Sequence, residues 1–586
     1  MGHVDQCPSK GAYEQKPRKV APEHTGVGPT GQAYWRSLDD LADTPEFRDW
    51  LEREFPAGAS ELLDDSRRTF LKIMGAGLAL AGAATLPGCR RPDHKILPHS
   101  REVPEEVIPG KPLYYATSLA YGGAGGTVEG LLVETHENRP TKTEGNPLHP
   151  INRGRSSVWG QASVLGVYDP DRLKDPIFTN VDGAPRSWED FAAWSAQHFS
   201  AYDDKRGQGL AFIVDKRRSP TLRAMRDRIM RRWPEAAWVW YDATQMDAPI
   251  RGSEIALGAP HHELLHLEHA KVIVSLDRDF LHGGCEGRGL VNAREFAATR
   301  RMLTTADADR MSRLYVVESH FTPTGGKADH RMALSPSQVT TFAAALYARV
   351  MGMTGKGSAQ APSVPAAWEK WLTAIAGDLE SNPGAGLIVA GPSQPPEVHA
   401  MVAAMNAAIG AVGKTVSYVP MDEVDAASSA DALAALTEKM RSGAITTLVT
   451  INANPVFNAP AALRFAEAFK NVPMRITLAA DPNETVGDPA DLRGGSNWRL
   501  PAAHELESWG DTLTIDGVLA PTQPMIAPLY GGKSDIETLA IIVEGDLARA
   551  DGYQLVRETW QTTLGLGGAD FERRWRRALH DGVVAG

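Results

Sequence analysis

LAFIVD (210–215) decides the fold. Apolar residues run through it without alternation, so a strand here has both faces buried. A basic amphipathic helical segment ending near Arg232 follows, and then AWVWYD (237–242). Strand, helix and strand within roughly 30 residues make one βαβ unit. Outward from it, similar runs recur with helical sequence between them: KVIVSL (271–276), RLYVVE (313–318), GLIVAG (386–391), TVSYV (415–419), ITTLVTI (445–451) and MRITLA (474–479). Buried parallel strands over roughly 270 residues fit two doubly wound α/β lobes better than one. Between Pro112 and Pro147 the signals change to short strands and turns, and Thr127–Thr135 with Arg139–Lys142 reads as a hairpin around Glu137-Asn138. Segment 499–535 again carries strand and turn signals, and Gln554–His580 reads as helix.

The chain has 586 residues, 42% of them hydrophobic and 23% charged, an ordinary globular balance that excludes a fibrous or wholly disordered protein. Lys plus Arg number 61 against 72 Asp plus Glu, a net charge of −11, which argues against a protein that wraps nucleic acid. The three cysteines are Cys7, Cys89 and Cys285. Three thiols exclude a dense disulfide framework and an iron–sulfur cluster held by four cysteines.

Ser66-Arg67-Arg68-Thr69-Phe70-Leu71-Lys72 precedes an uncharged, Gly/Ala-rich run from Ile73 to Cys89. The run falls short of the roughly 20 strongly apolar residues that span a bilayer. A twin arginine before a weakly apolar stretch is the mark of a twin-arginine export signal. It is delayed by a leader, residues 1–65, with an amphipathic segment in Tyr34–Pro56. Leu86-Pro87-Gly88-Cys89 resembles a lipobox, which makes Cys89 a candidate for lipidation, and 90–111 reads as a Pro-rich linker.

In doubly wound sheets ligands lie beyond the carboxyl ends of the strands. The loops there are long and polar: DKRRSP after 214, LDRDFLHGG after 275, ESHFTPTGGKADH after 317, AGPSQPP after 389, TINANPVFNAP after 449 and AADPNET after 478. His262-Glu263-Leu264-Leu265-His266 spells H-E-x-x-H, which on a helix would set both histidines on one face as zinc ligands with Glu263 as base. The plainer reading of that segment is a polar helix leading into KVIVSL. The string Gly122–Gly126 lacks the Lys-Ser/Thr of a phosphate loop and reads as a turn, and Cys285 is a lone thiol on a Gly-rich loop.

GNPLHPINRGRSSVWGQASVLGVYDPDRL (145–173) resembles the N-terminal signature of the bis-molybdopterin oxidoreductases, the dimethyl sulfoxide reductase superfamily. Further matches occur in the family's order: Arg186–Asp190, Lys327-Ala328-Asp329, Ala453-Asn454-Pro455, Asn483-Glu484-Thr485, and Leu500–Ala503 with Glu507 and Gly510. The departures concern the redox centres. Residues 112–144 hold no cysteine, Ser157 replaces the fourth cluster cysteine, and Trp159 replaces the lysine between cluster and pterin, so both are vestigial cofactor positions. No cysteine follows Asp242 where many members supply the metal thiolate, which leaves Ser253 and Asp247 as alternative ligands. In the family the Lys216-Arg217-Arg218 region approaches a cofactor phosphate.

The leader and 88–117 are similar to one branch of this family, the twin-arginine-variant molybdopterin-like proteins, and within it to the large subunits of alternative complex III. The resemblance implies two α/β lobes, one inserted in the other, and a smaller β-rich domain. The expected bounds are 112–180 for the β-rich domain, 181–245 with 375–484 for the first lobe, 246–374 for the inserted lobe, and 485–586 for a return to the β-rich domain and a terminal helix. The pterin-clamping barrel is expected to be missing or to lie beyond residue 586. The function implied is a non-catalytic structural subunit of a quinol-oxidising electron-transfer complex at the periplasmic face of the bacterial inner membrane. No cofactor is expected in this chain. Iron–sulfur clusters and haem are expected in its partners: a ferredoxin-like domain, a quinol-binding integral membrane subunit and cytochrome c subunits. The alternatives are an active molybdenum or tungsten enzyme with a Ser or Asp ligand, and a zinc peptidase at 262–266.

Overall fold

The structure is a computed structural model. It describes residues 42, 44, 45, 108, 110–121, 127–136, 139–180, 183–244, 247–282, 288–357, 360–421, 426–488 and 495–584. All of the leader but residues 42, 44 and 45, the twin-arginine stretch Ser66–Lys72, Cys7, Cys89, Cys285, the glycine string and nearly all of the linker therefore lie outside the described residues. The chain divides into Met1–Val103 and Pro104–Gly586, and among the described residues every sheet lies in the second unit.

Strands β1 (Leu113–Tyr121), β2 (Thr127–His136) and β3 (Arg139–Gly145) form an antiparallel sheet, with the expected hairpin between β2 and β3. Helix α1 (Val158–Val167) packs on β3. After β4 (Ile177–Phe178) and α2 (Trp188–Ser200) come β5 (Leu210–Asp215), α3 (Pro220–Arg232) and β6 (Ala237–Tyr241), the unit read from the sequence. The chain then enters the inserted lobe: α4 (Asp247–Leu257), β7 (His261–Leu265), β8 (Val272–Leu276), α5 (Gly289–Thr299), β9 (Arg313–Glu318), β10 (His330–Ala333), α6 (Pro336–Thr354), α7 (Ala366–Ser381), β11 (Gly386–Ala390), α8 (Pro396–Ala408) and β12 (Val416–Pro420). It returns through α9 (Ser429–Arg441), β13 (Thr447–Ile451), β14 (Met474–Ala479) and β15 (Trp498–Pro501). A hairpin of β16 (Gly510–Leu513) and β17 (Leu519–Thr522) packs against β1, and α10 (Asp535–Glu544), α11 (Gly552–Leu564) and α12 (Gly568–Asp581) close the described chain.

The first lobe is a six-stranded sheet in the order β4-β15-β14-β13-β5-β6, parallel except for β4. In β5 the side chains alternate between two apolar cores. Leu210, Phe212 and Val214 belong to one, and Ala211 and Ile213 to the other. The inserted lobe has a parallel sheet, β10-β9-β8-β11, with its own core between α6, α7 and α8. Among the described residues there is no closed barrel.

Three expectations are corrected. GLIVAG is expected in the first lobe, but β11 pairs with β8, so the inserted lobe runs on past residue 374 to β12. TVSYV is not a parallel strand, because β12 pairs antiparallel with β7. Segment 485–586 is not a simple return to the β-rich part, since β15 joins the first lobe's sheet and the end of the chain holds helices α10, α11 and α12. Each apolar run does form a strand, but the partner of a strand is set by contacts far away in sequence.

Candidate functional site

Strands β5, β6, β13, β14 and β15 end at one crevice of about 590 Å³, within the size range of small-molecule sites. Among the described residues its walls carry Asp215, Asp481, Glu505, Asp511 and Asp535 against one guanidinium, Arg217, with His504 at the side. Arg217 comes from the DKRRSP loop. It bonds to Asp535 and lies 3.7 Å from Asp215 and 3.6 Å from Glu505. Burial works against its charge, but these carboxylates outweigh burial and hold its pKa above the usual value. Burial pushes the Asp215 carboxyl up to about 6 against the pull of Arg217, with Asp242, Asp535 and Glu505 adding repulsion.

The N-terminus of α3 faces this region, the place where a doubly wound fold holds a phosphate. Here the protein's own groups occupy it. Ser219 caps the helix by accepting from Leu222 N at 3.1 Å. Asp511, brought in by β16, accepts from Thr221 N at 3.1 Å, from the Thr221 hydroxyl at 2.6 Å and from Trp560 Nε1 at 2.9 Å. An internal carboxylate thus stands where a cofactor diphosphate would sit, in a crevice whose one described guanidinium is already paired.

The inserted lobe fills its corresponding region with its own side chains. Asp277, after β8, accepts from Ser319 N at 2.8 Å and from Gln394 Nε2 at 3.1 Å. Glu318, 1% exposed at the end of β9, bonds to Arg331 and accepts from the Thr322 hydroxyl at 2.6 Å. Asp279 takes Thr324 N at 3.0 Å. Gly391 after β11 lies so close to the Asp277 carbonyl that an added Cβ would stand 1.9 Å from it. These residues do not fit a pair of pterin dinucleotides, whose phosphates need cations or free N–H groups.

Ser157 and Trp159, read from the sequence as vestigial cofactor positions, lie elsewhere. Ser157 is the N-cap of α1 and accepts from Gly160 N at 3.1 Å, while its own N–H donates to the buried Glu129 carboxylate at 3.0 Å. Trp159, on the first turn of α1, is 59% exposed. Nearby His149 is fully buried, and burial pushes its pKa down to about 4. Neither Ser157 nor Trp159 lines the crevice.

Ser253 and Asp247 are also engaged away from it. The Ser253 hydroxyl donates to Ile250 O at 2.7 Å and accepts from His261 N at 2.8 Å, and Asp247 accepts from the Ser428 hydroxyl at 2.6 Å. The zinc reading is overturned, and so is the plainer reading of a polar helix. His262, Glu263, Leu264 and Leu265 lie on strand β7, not on a helix, and His266 follows it. Residues four apart on a strand are about 13 Å apart, too far to share one metal ion. Each polar side chain has its own partner: His262 with Arg218 at 2.9 Å, Glu263 with Arg278, and His266 with Ser417 at 2.9 Å. Among the described residues no group of three His, Cys, Asp or Glu could hold a metal ion.

The ordered motifs turn out to be latches. Arg172 of YDPDRL and Glu507 form a buried pair with bonds of 3.0 and 2.7 Å. Asn454 of Ala453-Asn454-Pro455 accepts from the Thr485 hydroxyl at 2.8 Å and donates to Glu484 at 2.7 Å, which joins two motifs. Ser187 and Asp190 make the capping box of α2. The polar loops of the sequence contain Arg217, Asp277, Glu318 and Gln394. Asp511 and Asp535 escape a reading of the sequence, because nothing local marks them.

No family profile matches the chain. The chain is 36% identical over 86 residues to the menaquinone reductase, molybdopterin-binding-like subunit of Nitratidesulfovibrio vulgaris (strain Hildenborough). That match spans 14% of this chain and 12% of the relative. In structure the chain is similar to acetylene hydratase from Pelobacter acetylenicus, with a TM-score of 0.52 and 11% identity over 78% of this chain and 73% of that one. The sheets and these two likenesses agree: the chain is molybdopterin oxidoreductase-like in fold, and over 86 residues it is similar in sequence to a molybdopterin-binding-like subunit.

Proposed function

We propose that the chain is a non-catalytic structural subunit of a membrane-associated, quinol-oxidising electron-transfer complex of the alternative complex III type. The observation that carries this reading is Asp511 on the N-terminus of α3, in a crevice whose one described guanidinium is tied to carboxylates. A fold that meets its own anion sites internally serves as a scaffold, and its partners would carry the iron–sulfur clusters and haem. The name of the menaquinone reductase relative supports a quinone-linked setting. No described helix is long and apolar enough to cross a membrane, so attachment would come through partners or the N-terminal region. Export would follow the twin-arginine route, and the variant Arg67→Lys with Arg68→Lys should stay in the cytoplasm; normal export of that variant contradicts this step.

The test is turnover in the assembled complex. Arg217→Ala should leave quinol oxidation per haem within about twofold of the parent, since no reacting group is removed. A loss of about a hundredfold with assembly intact would mean that the crevice takes part in the chemistry.

A further inference from the structure

Helix α1 reads VWGQASVLGV and carries no charged residue. A helix without charge, with Gln161 and Ser163 as its polar side chains, is normally buried over most of its surface. Here Gly160, Val164 and Val167 are buried against the sheet, while Val158 is 73%, Trp159 59% and Leu165 71% exposed. Val158, Ala162 and Leu165 stand at i, i+4 and i+7 on one uncovered face. A continuous apolar face of this kind marks an interaction surface.

The surroundings say what kind of partner fits. Arg153 and Arg155 are exposed just ahead of the helix. Among the described residues neither pairs with a carboxylate, and the Arg153 side chain spends only Nε, on Pro150 O. The start of α1 is already met by the Glu129 carboxylate, which accepts from Ser157 N at 3.0 Å, so the positive charge beside the helix is that of the two arginines. On a chain of net charge −11 these are two exposed cations without a carboxylate partner among the described residues.

We propose that the exposed face of α1 docks a partner protein with an apolar centre and aspartates or glutamates facing Arg153 and Arg155. Trp and Arg around an apolar centre are the side chains that dominate protein interfaces. A second copy is disfavoured, because a two-fold contact would bring these arginines toward their own copies. A lipid surface is the competing occupant, and a lipid adduct in the test below would identify it. The inference rests on the proposed function only for which protein the partner is.

The test uses the full chain in its native host, with a photoreactive benzophenone side chain at position 159. The expected product is a cross-link to one other protein, within a segment richer in Asp and Glu than in Lys and Arg. Arg155→Glu and, separately, Leu165→Glu should each lower its yield about tenfold while leaving the melting temperature in place. The same probe at Ile255, 63% exposed on α4, should not give this product. A cross-link to a second copy or to lipid, no adduct at all, or an adduct indifferent to both variants would overturn the proposal. If the captured protein carries neither iron nor haem, docking stands and the electron-transfer reading falls.

Discussion

The first lobe and the inserted lobe end their parallel sheets alike and treat the space beyond them differently. In the first, an ion-pair cluster around Arg217 leaves a cavity of about 590 Å³. In the second, Asp277 bonds to Ser319 and Gln394, Glu318 bonds to Thr322 and Arg331, and Gly391 lets the backbone close over Asp277. The contrast teaches that a ligand crevice can have its charges paired off and stay open, or be filled by packing. Packing is the harder to undo, because its groups are desolvated and have no substitute partners.

The largest effect should come from breaking the packed closure. Gly391→Ala sets a methyl group against the Asp277 carbonyl and should cost about 3 kcal/mol, read by chemical denaturation. A change within error would mean that the loops part easily. Next, Asp277→Ala orphans donors on half-buried Ser319 and buried Gln394 and should cost about 2 kcal/mol, whereas Asp535→Ala leaves Arg217 two other carboxylates and should cost about half as much. Equal losses would erase the distinction between the lobes.

The smallest effect depends on pH. The folded pKa of Asp215, about 6, lies above its ordinary value of 3.8, so the folded chain holds a proton that the unfolded chain releases. That contribution is complete below about pH 4 and is lost as pH rises through about 6. Asp215→Asn should therefore gain on the parent between those values and stay ahead above them. The side chain is 34% exposed, so the gain should be about 1 kcal/mol or less. A gap independent of pH would contradict the assignment.

Strand identity is legible because burial on both faces leaves a local mark, as in LAFIVD and KVIVSL. Pairing is not. TVSYV looks like its parallel neighbours until β7 is seen beside it, and H-E-x-x-H has the same letters on strand and helix. The closure of the first crevice is hidden for a related reason: Asp511 meets Thr221 across 290 residues, and no spacing rule reaches that far. What the sequence does carry is the ordered motifs, which persist as latches such as Arg172 with Glu507 and Asn454 with Thr485.

The central claim is that both crevices are satisfied by the protein's own side chains. Its most direct test is the molybdenum, tungsten and pterin content of the native protein, purified with whatever accompanies it. The account predicts no pterin and neither metal, with iron confined to partners. Stoichiometric pterin with molybdenum or tungsten would contradict it, since Asp511 and the Arg217 cluster would then have to give way to a bound dinucleotide.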